Sequence, residues 1–96
     1  MNVTLITGAS SGIGEAFARR LAARGENLVL VARSEEKLAT ICNELGREYG
    51  VQAQYVAMDL TEDGAGGRLF DEAARRDLEV ETLINNAGFG SIGPAH

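Results

Sequence analysis

The sequence predicts an α/β domain, a doubly wound parallel sheet of about four strands in the order 3-2-1-4 with three helices. Three observations carry that prediction. Apolar runs and helical patterns alternate from the first residue, the mark of repeated strand–helix–strand units. One run, Leu28 to Ala32, is apolar without interruption, as a strand buried on both faces requires. The first strand feeds directly into "TGASSGIG", Thr7 to Gly14, where three glycines and three hydroxyl residues stand in place of packing side chains.

The elements follow in order. Asn2 to Thr7 reads as the first strand, on the apolar residues Val3, Leu5 and Ile6. A helix is expected from about Gly12 to Arg24, with Ile13, Phe17 and Leu21 four apart on one face and Gly25 placed to end it. After the Leu28–Ala32 strand, Ser34 is positioned to cap a second helix whose positive N-terminal end suits Glu35 and Glu36. Leu38, Ile41, Cys42, Leu45 and Tyr49 repeat there at helical spacing until Gly50 stops the helix. Val51 to Ala57 is the third strand; Gln52 and Gln54 alternate with apolar residues, which fits a place near a sheet edge. Thr61 opens a third helix carrying Leu69, Phe70, Ala73 and Ala74, although Gly64, Gly66 and Gly67 cost its first turns up to about 1 kcal/mol each relative to alanine. Thr82 to Asn85 is the fourth strand, and the glycine-rich "NNAGFGSIGPAH" after it is loop.

Bulk composition narrows what such a domain does. With 96 residues, 45% hydrophobic and 24% charged, the chain holds one core. A net charge of −5 with scattered arginines excludes a nucleic-acid footprint, which needs clustered Lys and Arg. His96 is the lone histidine and Cys42 the lone cysteine, so no metal cluster is expected and Cys42 reads as a buried thiol. No stretch is apolar for long enough to cross a bilayer and no secretory leader is visible, so no membrane partner and a cytoplasmic location are expected.

A strand entering a helix through a glycine turn is a phosphate-binding arrangement, because the unpaired N–H groups of the helix start face the ligand and missing side chains let it approach. Gly8 permits the tight exit from the strand, Gly12 removes a Cβ that would block a pyrophosphate, and Gly14 brings the helix close to the sheet. Ser10 and Ser11 offer hydroxyls to phosphate oxygens, and either is able to cap the helix instead. A Walker loop is excluded, since Glu15 follows Gly14 where a lysine is needed. The G-x-G-x-x-G fingerprint also fails, because Phe17 stands in its third glycine position.

The spacing that is met, T-G-x-x-x-G-x-G over Thr7 to Gly14, resembles the short-chain dehydrogenase/reductase family. Two further motifs stand at matching strand ends: Asp59-Leu60 after the third strand and Asn85-Asn86-Ala87-Gly88 after the fourth. The resemblance implies a Rossmann-type fold and an oxidoreductase that interconverts a carbonyl and an alcohol. It implies cofactor contacts from Gly8, Ser10, Ser11, Gly12, Ile13 and Gly14, adenine recognition by Asp59 beside the backbone of Leu60, and ribose contacts from Asn86 and Ala87. Gly88 would let the nicotinamide side approach, and the asparagines would also tie the central strands together. Asp59 has a second possible role, in a turn that caps the following helix.

The residues after the second strand decide the form of the cofactor. An acidic residue there accepts from the ribose 2′-hydroxyl of NAD, whereas an arginine pairs with the 2′-phosphate of NADP. Ala32 leaves space and Arg33 supplies the cation, so NADP is expected over NAD; the alternative for Arg33 is an ion pair with Glu35 or Glu36. The basic residue that some relatives carry before the second glycine is Ser11 here.

The family's Tyr-x-x-x-Lys pair is absent. Ala53 lies four residues after Tyr49, Asp59 four after Tyr55, and the sole lysine, Lys37, follows Arg33 at that interval. No catalytic residue is therefore assigned. The resemblance implies that residues 1–96 are the N-terminal, dinucleotide-binding half of a longer reductase, with a non-catalytic NADP(H)-binding module or an inactive gene fragment as the alternatives. The fourth strand is expected to be an uncovered edge, which invites self-association into a homo-oligomer.

Overall fold

The structure is a computed structural model that describes residues 1–86. Its elements are β1 (Asn2–Thr7), α1 (Gly12–Ala23), β2 (Leu28–Ala32), α2 (Glu35–Tyr49), β3 (Ala53–Ala57), α3 (Ala65–Arg75) and β4 (Glu79–Asn85). The four strands form one parallel sheet in the order β3-β2-β1-β4. This is the doubly wound arrangement expected from the sequence.

Alternation along the two central strands builds a core on each face of the sheet. Leu28 and Leu30 of β2 point with Ile6 toward α1 and α2, where they meet Ala18, Ala22, Leu38, Ile41 and Leu45. Val29 and Val31 point the other way with Val3 and Leu5, against Leu69 and Ala73 of α3. Leu5, Ile6, Leu28 and Leu30 are wholly buried, each worth about 1.5–3 kcal/mol of apolar transfer. Cys42 lies in the first of these clusters, and burial pushes its thiol up to about 11.

Helix α1 departs from the expected face. Its buried residues are Gly14, Ala18 and Ala22, whereas Ile13 and Phe17 are 65% and 42% exposed. Small side chains let the helix lie close on the sheet, and Arg19 turns one flank toward Glu44 of α2. Ile13 and Phe17 are left on the other flank. Tyr49, at the end of the α2 stripe, is likewise exposed.

Three boundaries also shift. β3 begins at Ala53, two residues later than expected, because Gln52 is held by the Asn27 side chain before the ladder starts. α3 begins at Ala65 because Thr61 is committed to a turn on Asp59, and Gly64, at φ +77°, sets the helix start. β4 begins at Glu79, its first residues hidden in the sequence by the charges of Glu79 and Glu81. They pair with β1 from Asn2 onward, with a register shift between Val3 and Thr4. Among the described residues no strand flanks the outer side of β4, and Leu83 and Phe70 stand exposed beside it. No helix among the described residues is long and apolar enough to cross a membrane.

Candidate functional site

All four parallel strands point their C-terminal ends to one side, and the segments that follow them converge there. They enclose a cleft of about 420 Å³ that brings together Gly8, Ser10, Ser11, Arg33, Asp59, Leu60 and Asn86. Gly12 and Ile13 line a shallow groove that begins where this cleft's glycine turn enters α1. Gly14 is buried beneath the turn. Ala87 and Gly88, with Phe89, Gly90 and His96, lie outside the described residues.

The turn is built by local hydrogen bonds. Gly8 leaves β1 at φ +64°, a left-handed conformation that disfavours a side chain. Ser11 is the N-cap of α1: its Oγ accepts from the Gly14 amide at 3.2 Å, and its carbonyl accepts from Glu15 at 2.8 Å. Ala9 donates its amide to the Val31 carbonyl at 3.1 Å, tying the turn to β2. Among the described residues, the amides of Gly12 and Ile13 have no acceptor. They are the unsatisfied donors at the positive end of a helix, and a Cβ placed on Gly12 would meet nothing within 4 Å. An anion fits that space.

Gly14 differs from Gly12. A Cβ there would fall 2.3 Å from the Gly8 carbonyl oxygen and 3.0 Å from Asn86 Nδ2, so the protein itself fills the space over it. Asn86 comes from the end of β4: its backbone amide donates to Thr7 Oγ1 at 3.0 Å, and its Nδ2 donates to Gly8 O at 3.3 Å and Ser11 Oγ at 2.9 Å. The Thr7 hydroxyl donates to Asn85 Oδ1 at 3.1 Å. The two asparagines thus tie β4 to β1 and to the turn.

On the opposite side of the cleft, Asp59 Oδ1 accepts from both the hydroxyl and the amide of Thr61, at 2.6 and 3.0 Å. Those bonds, with a smaller contribution from the charge of Arg33, hold the Asp59 carboxyl below the usual carboxylate range. It stays anionic, with Oδ2 unbonded among the described residues. The turn-forming role and an open acceptor thus coexist in one side chain. Arg33 is exposed and has no ion pair among the described residues, so the expected alternative of pairing with Glu35 or Glu36 is not what the structure contains. Small Ala32 opens the cleft beside it.

Sequence reasoning missed three wall residues: Ser34 as a wall residue, Met58 and Thr61. Ser34 holds the N-cap position of α2 without a side-chain cap bond, and Met58 is held by its amide on the Ala32 carbonyl at 2.8 Å. Only Thr61 carried a sequence signal, its place two residues after an aspartate. A larger, open groove of about 830 Å³ runs along β3, but it contains none of the expected site residues. There Tyr55 donates to Glu35, and Arg76 donates to the Tyr55 carbonyl.

A family model described as short chain dehydrogenase matches residues 2–96. A very-long-chain 3-oxoacyl-CoA reductase of Lodderomyces elongisporus is 41% identical over 87 residues, covering 91% of this chain and 25% of that protein. The chain thus spans about a quarter of the length of the curated relatives it matches. Among solved structures, a short-chain dehydrogenase from Sphingobium yanoikuyae in complex with NADPH superposes with a TM-score of 0.81 at 42% identity, over 92% of this chain and 34% of that one. L-sorbose reductase from Gluconobacter frateurii, complexed with NADPH and L-sorbose, gives a TM-score of 0.84 at 36% identity, over 93% and 34%.

Proposed function

The chain belongs to the short chain dehydrogenase family of oxidoreductases, and on that premise we propose that residues 1–96 are the dinucleotide-binding part of an NADP-dependent enzyme interconverting a carbonyl and an alcohol. The amides of Gly12 and Ile13, without acceptors among the described residues, and the open space above Gly12 are the observation that carries this reading. They would receive the pyrophosphate. Arg33 would pair with the 2′-phosphate, Asp59 Oδ2 would accept from the adenine amino group beside the Leu60 backbone, and Asn86, Ala87 and Gly88 would follow the ribose toward the nicotinamide. The names of the relatives, an oxoacyl-CoA reductase and a sorbose reductase bound to NADPH, support a carbonyl substrate and the phosphorylated cofactor.

When bound, NADP(H) supplies or takes up the hydride. This chain's residues bind and orient it, while the proton that accompanies the hydride needs a donor these residues do not offer, since neither tyrosine has a lysine four positions on. We further propose self-association through the outer side of β4, which no strand flanks among the described residues.

Fluorescence titration with NADPH and NADH tests the cofactor. NADPH binds at least about tenfold tighter, and Arg33→Ala removes that preference, as loss of one charge-assisted contact at an exposed site predicts. Equal or tighter NADH binding to the unaltered chain takes Arg33 out of the role.

A further inference from the structure

The described sheet has two outer strands, β3 and β4, and the helices treat them differently. The Leu28 amide donates to the Gln52 carbonyl and the Met58 amide to the Ala32 carbonyl, so the even-numbered residues of this segment face β2. Alternation then turns the N–H and C=O groups of Ala53, Tyr55 and Ala57 outward, where another strand would pair with them. Arg76, the C-cap of α3, reaches across the middle of that row. One guanidinium nitrogen donates to the Tyr55 carbonyl at 3.2 Å and to Gln54 Oε1 at 3.4 Å. Its Nε is anchored on Glu72 Oε2 at 2.8 Å, one turn back along the helix. From the other face of the sheet, Glu35 of α2 accepts from the Tyr55 hydroxyl at 3.2 Å. Among the described residues no helix side chain bonds to β4.

We infer that Arg76, anchored by Glu72, guards the β3 edge and confines self-association to β4, so that two copies close into a dimer and do not add sheet to sheet. The guard draws its purpose from the proposed association through β4, on which this inference rests. A dimer joined at β4 carries a β3 at each end of its sheet, and two open ends build a filament. A further copy laying its own β3 along such an end needs the Tyr55 carbonyl, at the centre of a five-residue strand. Reaching it breaks a charge-assisted hydrogen bond and pushes an anchored cation aside. A guanidinium keeps its charge in proteins, so the guard is not released by titration.

Sedimentation velocity over a range of concentrations, with amide exchange read at Tyr55 and Ala57, tests this on the full chain and its variants. The unaltered chain goes no further than a dimer, and exchange at both amides is independent of concentration. Arg76→Ala forms species larger than a dimer, and both amides slow as concentration rises. Its new contact is at least about tenfold tighter than any the unaltered chain makes through β3, the worth of one hydrogen bond to a charged group. Glu72→Gln, which keeps the arm and weakens its anchor, shifts both readings the same way by less. Adding Ala53→Pro to Arg76→Ala returns both readings to those of the unaltered chain, since proline there removes an outward N–H and no ladder bond. The guard is overturned if Arg76→Ala and Glu72→Gln sediment as the unaltered chain does, or if the assemblies persist with Ala53→Pro. Concentration-dependent protection of Tyr55 and Ala57 in the unaltered chain also overturns it. If the unaltered chain stays monomeric, the β4 reading has failed. Arg76→Ala then decides the guard alone: a dimer with slowed Tyr55 and Ala57 exchange upholds it, and a monomer overturns it.

Discussion

Among the described residues two helices begin among glycines, α1 after Gly8 with Gly12 and Gly14 in its first turn, and α3 after Gly64 with Gly66 and Gly67 in its first turn. Their surroundings differ. Over Gly14 a Cβ would meet backbone at 2.3 Å, whereas over Gly66 and Gly67 it would meet nothing within 4 Å. Ser11 caps α1 with its side chain, while α3 starts on Gly64 with no side-chain cap. Glycine content alone therefore does not mark a binding turn. What marks it is a glycine the packing demands next to one the packing does not, since the second has to be explained by something outside the protein. Gly12 is that residue in α1, beside two amides without acceptors among the described residues.

The largest effect belongs to Gly14→Ala. Its Cβ collides with the Gly8 carbonyl and the Ala9 backbone, groups that cannot swing aside, so we expect a loss of about 3 kcal/mol, the upper range for overpacking. At about 4–8 °C per kcal/mol for a domain of this size, the melting temperature falls by more than about 10 °C. A variant that melts with the unaltered chain would show that the turn relaxes freely and would remove the contrast with α3.

The opposite sign is expected at α3. Gly66→Ala and Gly67→Ala have room and helical conformation, so each raises stability by about 0.5–1 kcal/mol through propensity and the unfolded chain's lost freedom. Chemical denaturation reads that gain, and cofactor affinity stays where it was. Destabilisation by either alanine would mean that the α3 glycines are also demanded by a neighbour.

The same contrast explains which parts of the molecule were legible in the sequence. β1 and β2 matched their expected bounds because both lie in the middle of the sheet: β2 is uninterruptedly apolar, as burial on two faces requires, and β1 carries Val3, Leu5 and Ile6 up to the glycine turn. The face of α1 was misread, since Gly14, Ala18 and Ala22 carry no hydrophobic stripe; closeness to the sheet selects small residues and leaves Ile13 and Phe17 outside. β4 began earlier than its apolar residues declare because an edge strand tolerates Glu79 and Glu81. In the site, Gly8, Arg33, Asp59 and Asn86 were readable from their places just after strands, which the topology carries to one end of the sheet. That Ser11 is bonded to Asn86 was not, because the bond joins residues 75 apart in the chain.

The central claim is that the open space over Gly12 exists for the cofactor's pyrophosphate and not for the protein. NADPH titration of Gly12→Val, alongside its melting temperature without ligand, tests it most directly. We expect a melting temperature within a few degrees of the unaltered chain, as the cost of a β-branched residue in a first helical turn is under about 1 kcal/mol, together with an affinity reduced by at least about tenfold through the blocked approach. Undiminished NADPH binding by a folded Gly12→Val chain would contradict the account.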